Sequence, residues 1–151
     1  MRLSLSKAIA VGISALVVAT CVPMISEANN CRDDLYVFNT SATGGAGYVC
    51  NGGRDKLDDS SSYMYCTSYS KTYSQGTGNT YTATAEGSTN STGFHNCSYN
   101  GKKTPSYTFS AGTKKYMTNY IHETGCTRAN IYCSSRATYA KFEGLWSPDS
   151  V

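Results

Sequence analysis

Between Ser61 and Ser74 the chain reads SSYMYCTSYSKTYS, an alternation with a period of two residues. Tyr63, Tyr65, Thr67, Tyr69, Lys71 and Tyr73 fall on one side of an extended backbone, with Met64, Cys66, Ser68 and Ser70 on the other. A helix would scatter the same residues around its circumference, so the pattern predicts a strand. Shorter runs of the same kind are LYVFN from Leu35, AGYVC ending at Cys50, TYTATA from Thr80, SYTFS around Phe109, KKYMTNYIHE from Lys114, ANIYCSS from Ala129 and TYAKFEGLW from Thr138. The intervening pieces TGGAG, NGGRD, SQGTGN, EGSTNSTG, NGKKTP and ETGCTR are rich in turn-forming residues. About eight strands so spaced predict one all-β domain, an antiparallel β-sandwich or a barrel-like relative of it.

Leucine is scarce in this chain and tyrosine abundant, with all 13 tyrosines beyond residue 29. Tyrosine must therefore supply much of the buried area while its hydroxyl finds a partner or water. In TYAKFEGLWSPDSV the alternation sets Thr138, Ala140, Phe142, Gly144 and the single tryptophan, Trp146, on one face. Pro148 removes a ladder donor and biases Ser147 to an extended shape, so regular pairing is expected to end there. Trp146 is read as the anchor of a terminal strand, the alternative being a ring exposed to a ligand.

The N-terminus places Arg2 and Lys7 before an apolar run from Ala8 to about Val22, followed by Pro23, Ser26 and Ala28. That is the layout of a secretory signal peptide, so residues 1–28 are expected to be removed and 29–151 to form the mature domain. The run is too short to span a bilayer. Acylation at Cys21, in VATC, is the competing reading. An exported chain loses Cys21 with its signal and keeps Cys31, Cys50, Cys66, Cys97, Cys126 and Cys133, an even set without a C-x-x-C pair. It is read as a disulfide framework with the pairing open. Asn39, Asn90 and Asn96 lie in N-x-S/T sequons.

Beyond the signal, 11 Lys and Arg (13 less Arg2 and Lys7) face 9 Asp and Glu (10 less Glu27), which lacks the basic excess of a nucleic-acid binder. In NGKKTPSYTFSAGTKKYMTNY, two lysine pairs, Lys102–Lys103 and Lys114–Lys115, flank a strand bearing Tyr107 and Phe109, with Tyr116 and Tyr120 after it. These eight residues are the candidate binding site: ammonium groups for an anionic polymer or membrane surface, rings for sugars or lipid. The bland alternative is that the lysines keep hairpin ends soluble and block edge pairing.

No catalytic residue is assigned. His95 and His122, with Glu123, Arg128 or Arg136, are the parts of a ribonuclease-like acid–base set, but their spacing does not bring them together. No G-x-S-x-G occurs. Asn51, Asp55, Asp58 and Asp59 in NGGRDKLDDSS offer the oxygens calcium takes, though Arg54 and Lys56 among them offset their charge. A zinc pair of His95 and Cys97 competes with the even cysteine count. No metal or cofactor is expected.

The leader, the strand–turn succession and the ending GLWSPDSV resemble small secreted β-proteins of Gram-positive bacteria, lactococcin-type bacteriocins among them. The overlap lies in that tail and in general composition. The resemblance implies a secreted β-sandwich that interferes with envelope construction in related cells; those peptides are shorter and lack the six-cysteine framework, and no catalytic residue carries over. The expected function is thus non-enzymatic surface recognition outside the cell, with the bacterial cell envelope or an extracellular protein as partner. An inhibitor or adhesion module, and a small hydrolase using His95 and His122, are the alternatives.

Overall fold

A computed structural model describes residues 30–150, so the leader and Cys21 lie outside the described residues. The strands are β1 (Asp34–Asn39), β2 (Gly45–Tyr48), β3 (Arg54–Asp55), β4 (Ser62–Lys71), β5 (Tyr81–Ser88), β6 (Ser98–Tyr99), β7 (Lys102–Lys103), β8 (Ser106–Phe109), β9 (Lys114–Met117), β10 (Arg128–Ser135) and β11 (Ala140–Ser147). One 3-10 turn covers His122–Thr124, and the described residues include no α-helix. A first sheet has the order β1-β11-β4-β9 and a second the order β2-β10-β5-β8, with β3 also on β10. Every pairing is antiparallel, and β6 with β7 forms a separate hairpin.

The two large sheets pack face to face, as the all-β reading expects. Tyr81 of the second sheet lies 4.8 Å from Phe142 and 5.6 Å from Phe38 of the first, ring centre to ring centre, and stacks on Phe109 at 5.4 Å. The hydroxyls of Tyr36 and Tyr81 meet across the layers at 2.5 Å. Burial pushes both phenols far above their ordinary pKa, so the pair stays neutral. Tyrosine fills the core here because each buried hydroxyl satisfies the other.

All eight expected strands are present, but the long tyrosine strand is not a simple alternation. On β4, Met64 pairs with Trp146 and Tyr69 with Phe142, yet Glu143 pairs with Ser68 and Gly144 with Cys66, which leaves Thr67 unpaired. This bulge shifts the parity. Before it Met64 and Cys66 point inward and Tyr63 and Tyr65 outward; after it Tyr69 turns inward and packs 5.3 Å from Phe142. Gly144 is required opposite the bulge, since a Cβ there would collide with the Tyr65 carbonyl oxygen and the Tyr36 ring. The expected strand KKYMTNYIHE also ends early, at Met117. Asn119 Nδ2 donates to Ser60 O and Ser62 Oγ, drawing the chain out of the sheet toward the 3-10 turn.

Trp146 is wholly buried, as the anchor reading requires, and the Arg54 guanidinium lies 5.5 Å over its ring. The residues after it are also fixed. Ser62 Oγ donates to Pro148 O, and Asp149, fully buried, receives the Lys56 ammonium at 2.5 Å. The same carboxylate accepts from Asn30 N at 2.8 Å and Leu57 N at 3.2 Å, while Lys56 Nζ also reaches Ser60 O at 2.7 Å and Asp58 at 3.3 Å. Burial raises the Asp58 carboxyl, but hydrogen bonds from Ser60 and the Lys56 charge outweigh it and hold that group below the usual carboxylate range.

Breaking a buried pair leaves an uncompensated charge, so Asp149→Ala is expected to destabilise the fold by about 3–5 kcal/mol, read by urea unfolding at neutral pH. The Lys56→Met/Asp149→Leu double substitution should recover most of that loss; a double variant destabilised by the sum of the two single losses would show that the two groups act independently.

Candidate aromatic and basic face

The residues expected to form one site are divided by the fold. Phe109 is fully buried and stacked on Tyr81, so its ring serves the core and is unavailable to a ligand. Tyr107, on β8, is half-buried and its hydroxyl accepts from Thr118 N at 3.0 Å. Tyr120 is half-buried with its ring 6.4 Å from Tyr99. Lys102 and Lys103 form β7 of the exposed hairpin, whereas Lys114 and Lys115 lie on β9, the edge of the first sheet. The two lysine pairs therefore do not flank one aromatic strand: β8 belongs to the second sheet and β9 to the first.

What gathers on the outer face of the first sheet is Lys114, Tyr116, Tyr63 and Tyr65. Pairing of β9 with β4 sets Tyr116 opposite Tyr63 and Lys114 opposite Tyr65. The Lys114 ammonium sits 5.5 Å from the Tyr65 ring centre and 5.9 Å from that of Tyr63, within cation–π range. Tyr63 and Tyr116 lie 5.6 Å apart, and Tyr116 is 59 % exposed. A cleft of about 240 Å³ opens beside them, bounded also by Cys31, Asp33, Ser147 and Asp149. Burial raises the Tyr63 phenol above its ordinary pKa, with the Lys114 charge working against that rise.

Rings, an ammonium and the Asp33 carboxylate around one open cleft suit a polar ligand with flat, hydroxyl-bearing faces and scattered negative charge. Tyr63, Tyr65 and Asp33 were missing from the expected site. The signal for the two tyrosines was present in the outward face of SSYMY, but only the β4–β9 pairing shows that it meets KKY.

The other candidates have structural partners. Lys56 occupies the centre of the acidic loop, and Arg128 of β10 binds Asp55 at 2.7 Å while donating to Gly52 O and Gly53 O. His95 is exposed with Nδ1 3.3 Å from Gly93 O, and His122 opens the 3-10 turn. No hydrogen bond links the two among the described residues. Tyr48 donates to Glu86 at 2.6 Å; burial first, then that carboxylate, raises its pKa. Asn39, Asn90 and Asn96 are all exposed. No sulfur pair lies at bonding distance among the described cysteines. His95, Cys97 and Cys126 bring their ligand-type atoms within 4.8 Å of one another, a grouping that spacing alone did not reveal because Cys126 is remote in sequence.

A protein-family model described as "Protein of unknown function (DUF2712)" matches residues 24–150. The chain belongs to this family. No curated protein and no solved structure matches it. No helix among the described residues is long and apolar enough to cross a membrane. The family match spans both sheets and the cleft, so the aromatic and basic face lies within the family's domain.

The ammonium favours the phenolate form, so removing it should raise the Tyr63 pKa further. Lys114→Met is expected to move the Tyr63 phenol titration to higher pH in ultraviolet difference spectra; an unmoved profile would mean that Lys114 does not sit against Tyr63 in solution.

Proposed function

We propose that the protein is a secreted, non-enzymatic recognition protein that binds an anionic, sugar-bearing polymer of the bacterial envelope through the Tyr63–Tyr65–Lys114–Tyr116 face. Interference with the growth of related cells is the consequence of that binding. The observation that carries the reading is the Lys114 ammonium held against two tyrosine rings at the mouth of an open cleft. Rings stack on sugar faces, and an ammonium beside them adds attraction for phosphate or carboxylate groups. Lys115 extends the positive edge, and Lys102 and Lys103 supply a second exposed pair.

A protein partner is favoured by a different observation. The hairpin Ser98–Lys103 is exposed throughout and turns through Asn100 and Gly101, both at positive φ. Such a protruding loop suits insertion into a groove of an extracellular target, as an inhibitor or adhesion module would do.

Retention on isolated Gram-positive cell walls distinguishes the two. Retention should fall about tenfold or more between low and physiological ionic strength, and Lys114→Ala with Tyr116→Ala should abolish it while Lys102→Ala with Lys103→Ala weakens it only modestly. Salt-independent retention, or loss confined to the hairpin variant, would remove the polymer-binding reading. Growth inhibition of a panel of Gram-positive strains, abolished in the same double variant, tests the biological consequence.

A further inference from the structure

The thiols of Cys97 and Cys126 lie 3.9 Å apart, both almost wholly buried, although 29 positions separate them in the chain. Their backbones are fixed to the same stretch of β5. His95 and Gly87 exchange N–H···O bonds at 3.0 Å, which sets Cys97 two residues beyond the contact. On the other side, Thr127 N donates to Ser88 O at 3.1 Å and Cys126 N to Ile121 O at 3.1 Å. Gly87 lies between the two approaches. A Cβ there would stand 2.8 Å from Cys97 Sγ and 3.0 Å from Cys126 Cβ, tighter than real side chains tolerate, so glycine makes the room the sulfurs occupy. Beside each other, the thiols make weak contacts, Cys97 with His95 O and Cys126 with the Thr124 hydroxyl, both at 3.7 Å.

We propose that Cys97 and Cys126 are joined by a disulfide that staples the end of the 3-10 turn to the base of the Ser98–Lys103 hairpin. Closing to the usual S–S separation of about 2.05 Å requires the sulfurs to approach by about 2 Å, within reach of side-chain rotation on backbones already in place. The oxidant is an external disulfide, RSSR. One protein thiol, as thiolate, attacks a sulfur of RSSR, forming a mixed disulfide and releasing RS⁻. The second thiolate then attacks the protein sulfur of that intermediate and expels the other RS⁻. The two departing thiolates take up the two protons that the protein thiols lost, so the protein dithiol is oxidised and RSSR is reduced to two RSH. The bridge closes a loop containing β6 to β9 and the 3-10 turn, which restricts the unfolded chain and ties the hairpin base to β5.

The test is peptide mapping of protein expressed from the full-length chain, equilibrated with oxidised and reduced glutathione, quenched in acid and alkylated before digestion without reductant. The expected product is a peptide pair linking Cys97 to Cys126, two hydrogens lighter than the sum of its thiol forms. The oxidised protein should also melt roughly 10 °C above the Cys97→Ser/Cys126→Ser variant, with slower amide exchange in Ser98–Lys103. Three results would overturn the assignment: both cysteines alkylated after oxidation, either one bonded to a different cysteine, or both protected only until a chelator removes one equivalent of zinc held with His95. If the double variant folds too poorly to compare, the mapping of the natural chain decides alone.

Discussion

The buried contact between Lys56 and Asp149 is the constraint on which much of this fold depends. Two opposite charges removed from water are tolerable only when each finds further partners, and here Ser60 O, Asp58, Leu57 N and Asn30 N supply them. The contact joins three segments distant in the chain: the residues before β1, the loop after β3 and the segment after β11. Once these are held together, Arg54 is fixed over Trp146 with its guanidinium donating to Asn30 Oδ1 and Arg32 O, and the largest apolar side chain of the protein is sealed from water. A cluster of acids that resembles a cation site in sequence is organised around a lysine instead.

Strand positions were legible because period two is a local property, whereas sheet membership and parity were not. Nothing in SSYMYCTSYSKTYS announces that Thr67 would be extruded. The bulge is set by the partner strand, where Gly144 must accommodate the Tyr36 ring and the Tyr65 carbonyl at close quarters. From Ala140 on, the alternation of TYAKFEGLW holds, because the inward residues Ala140, Phe142, Gly144 and Trp146 keep their parity along β11, whereas Thr138 and Tyr139 precede the strand and Tyr139 takes a positive φ.

The expected binding residues show the same division. Lys114 and Tyr116 are on the outer face because they alternate with Met117, which is buried. Phe109 was misplaced for a physical reason: a polar neighbourhood of serine, threonine and lysine conceals that the strand faces inward onto Tyr81, and a core this poor in leucine recruits every aromatic ring it can. Tyr63 and Tyr65 join the site through a pairing between strands about fifty residues apart, and no local pattern records such a pairing.

The topology of the first sheet has a kinetic corollary. β11, the last strand described, lies between β1 and β4, so Asp34 meets Trp146 and β1 has no hydrogen-bonded neighbour in the sheet until β11 arrives. An intermediate lacking β11 would expose two raw edges and the aromatic rings meant for the interior. Folding of this kind is governed by distant contacts and should be slow and concerted, with the sheet closing late around its central strand.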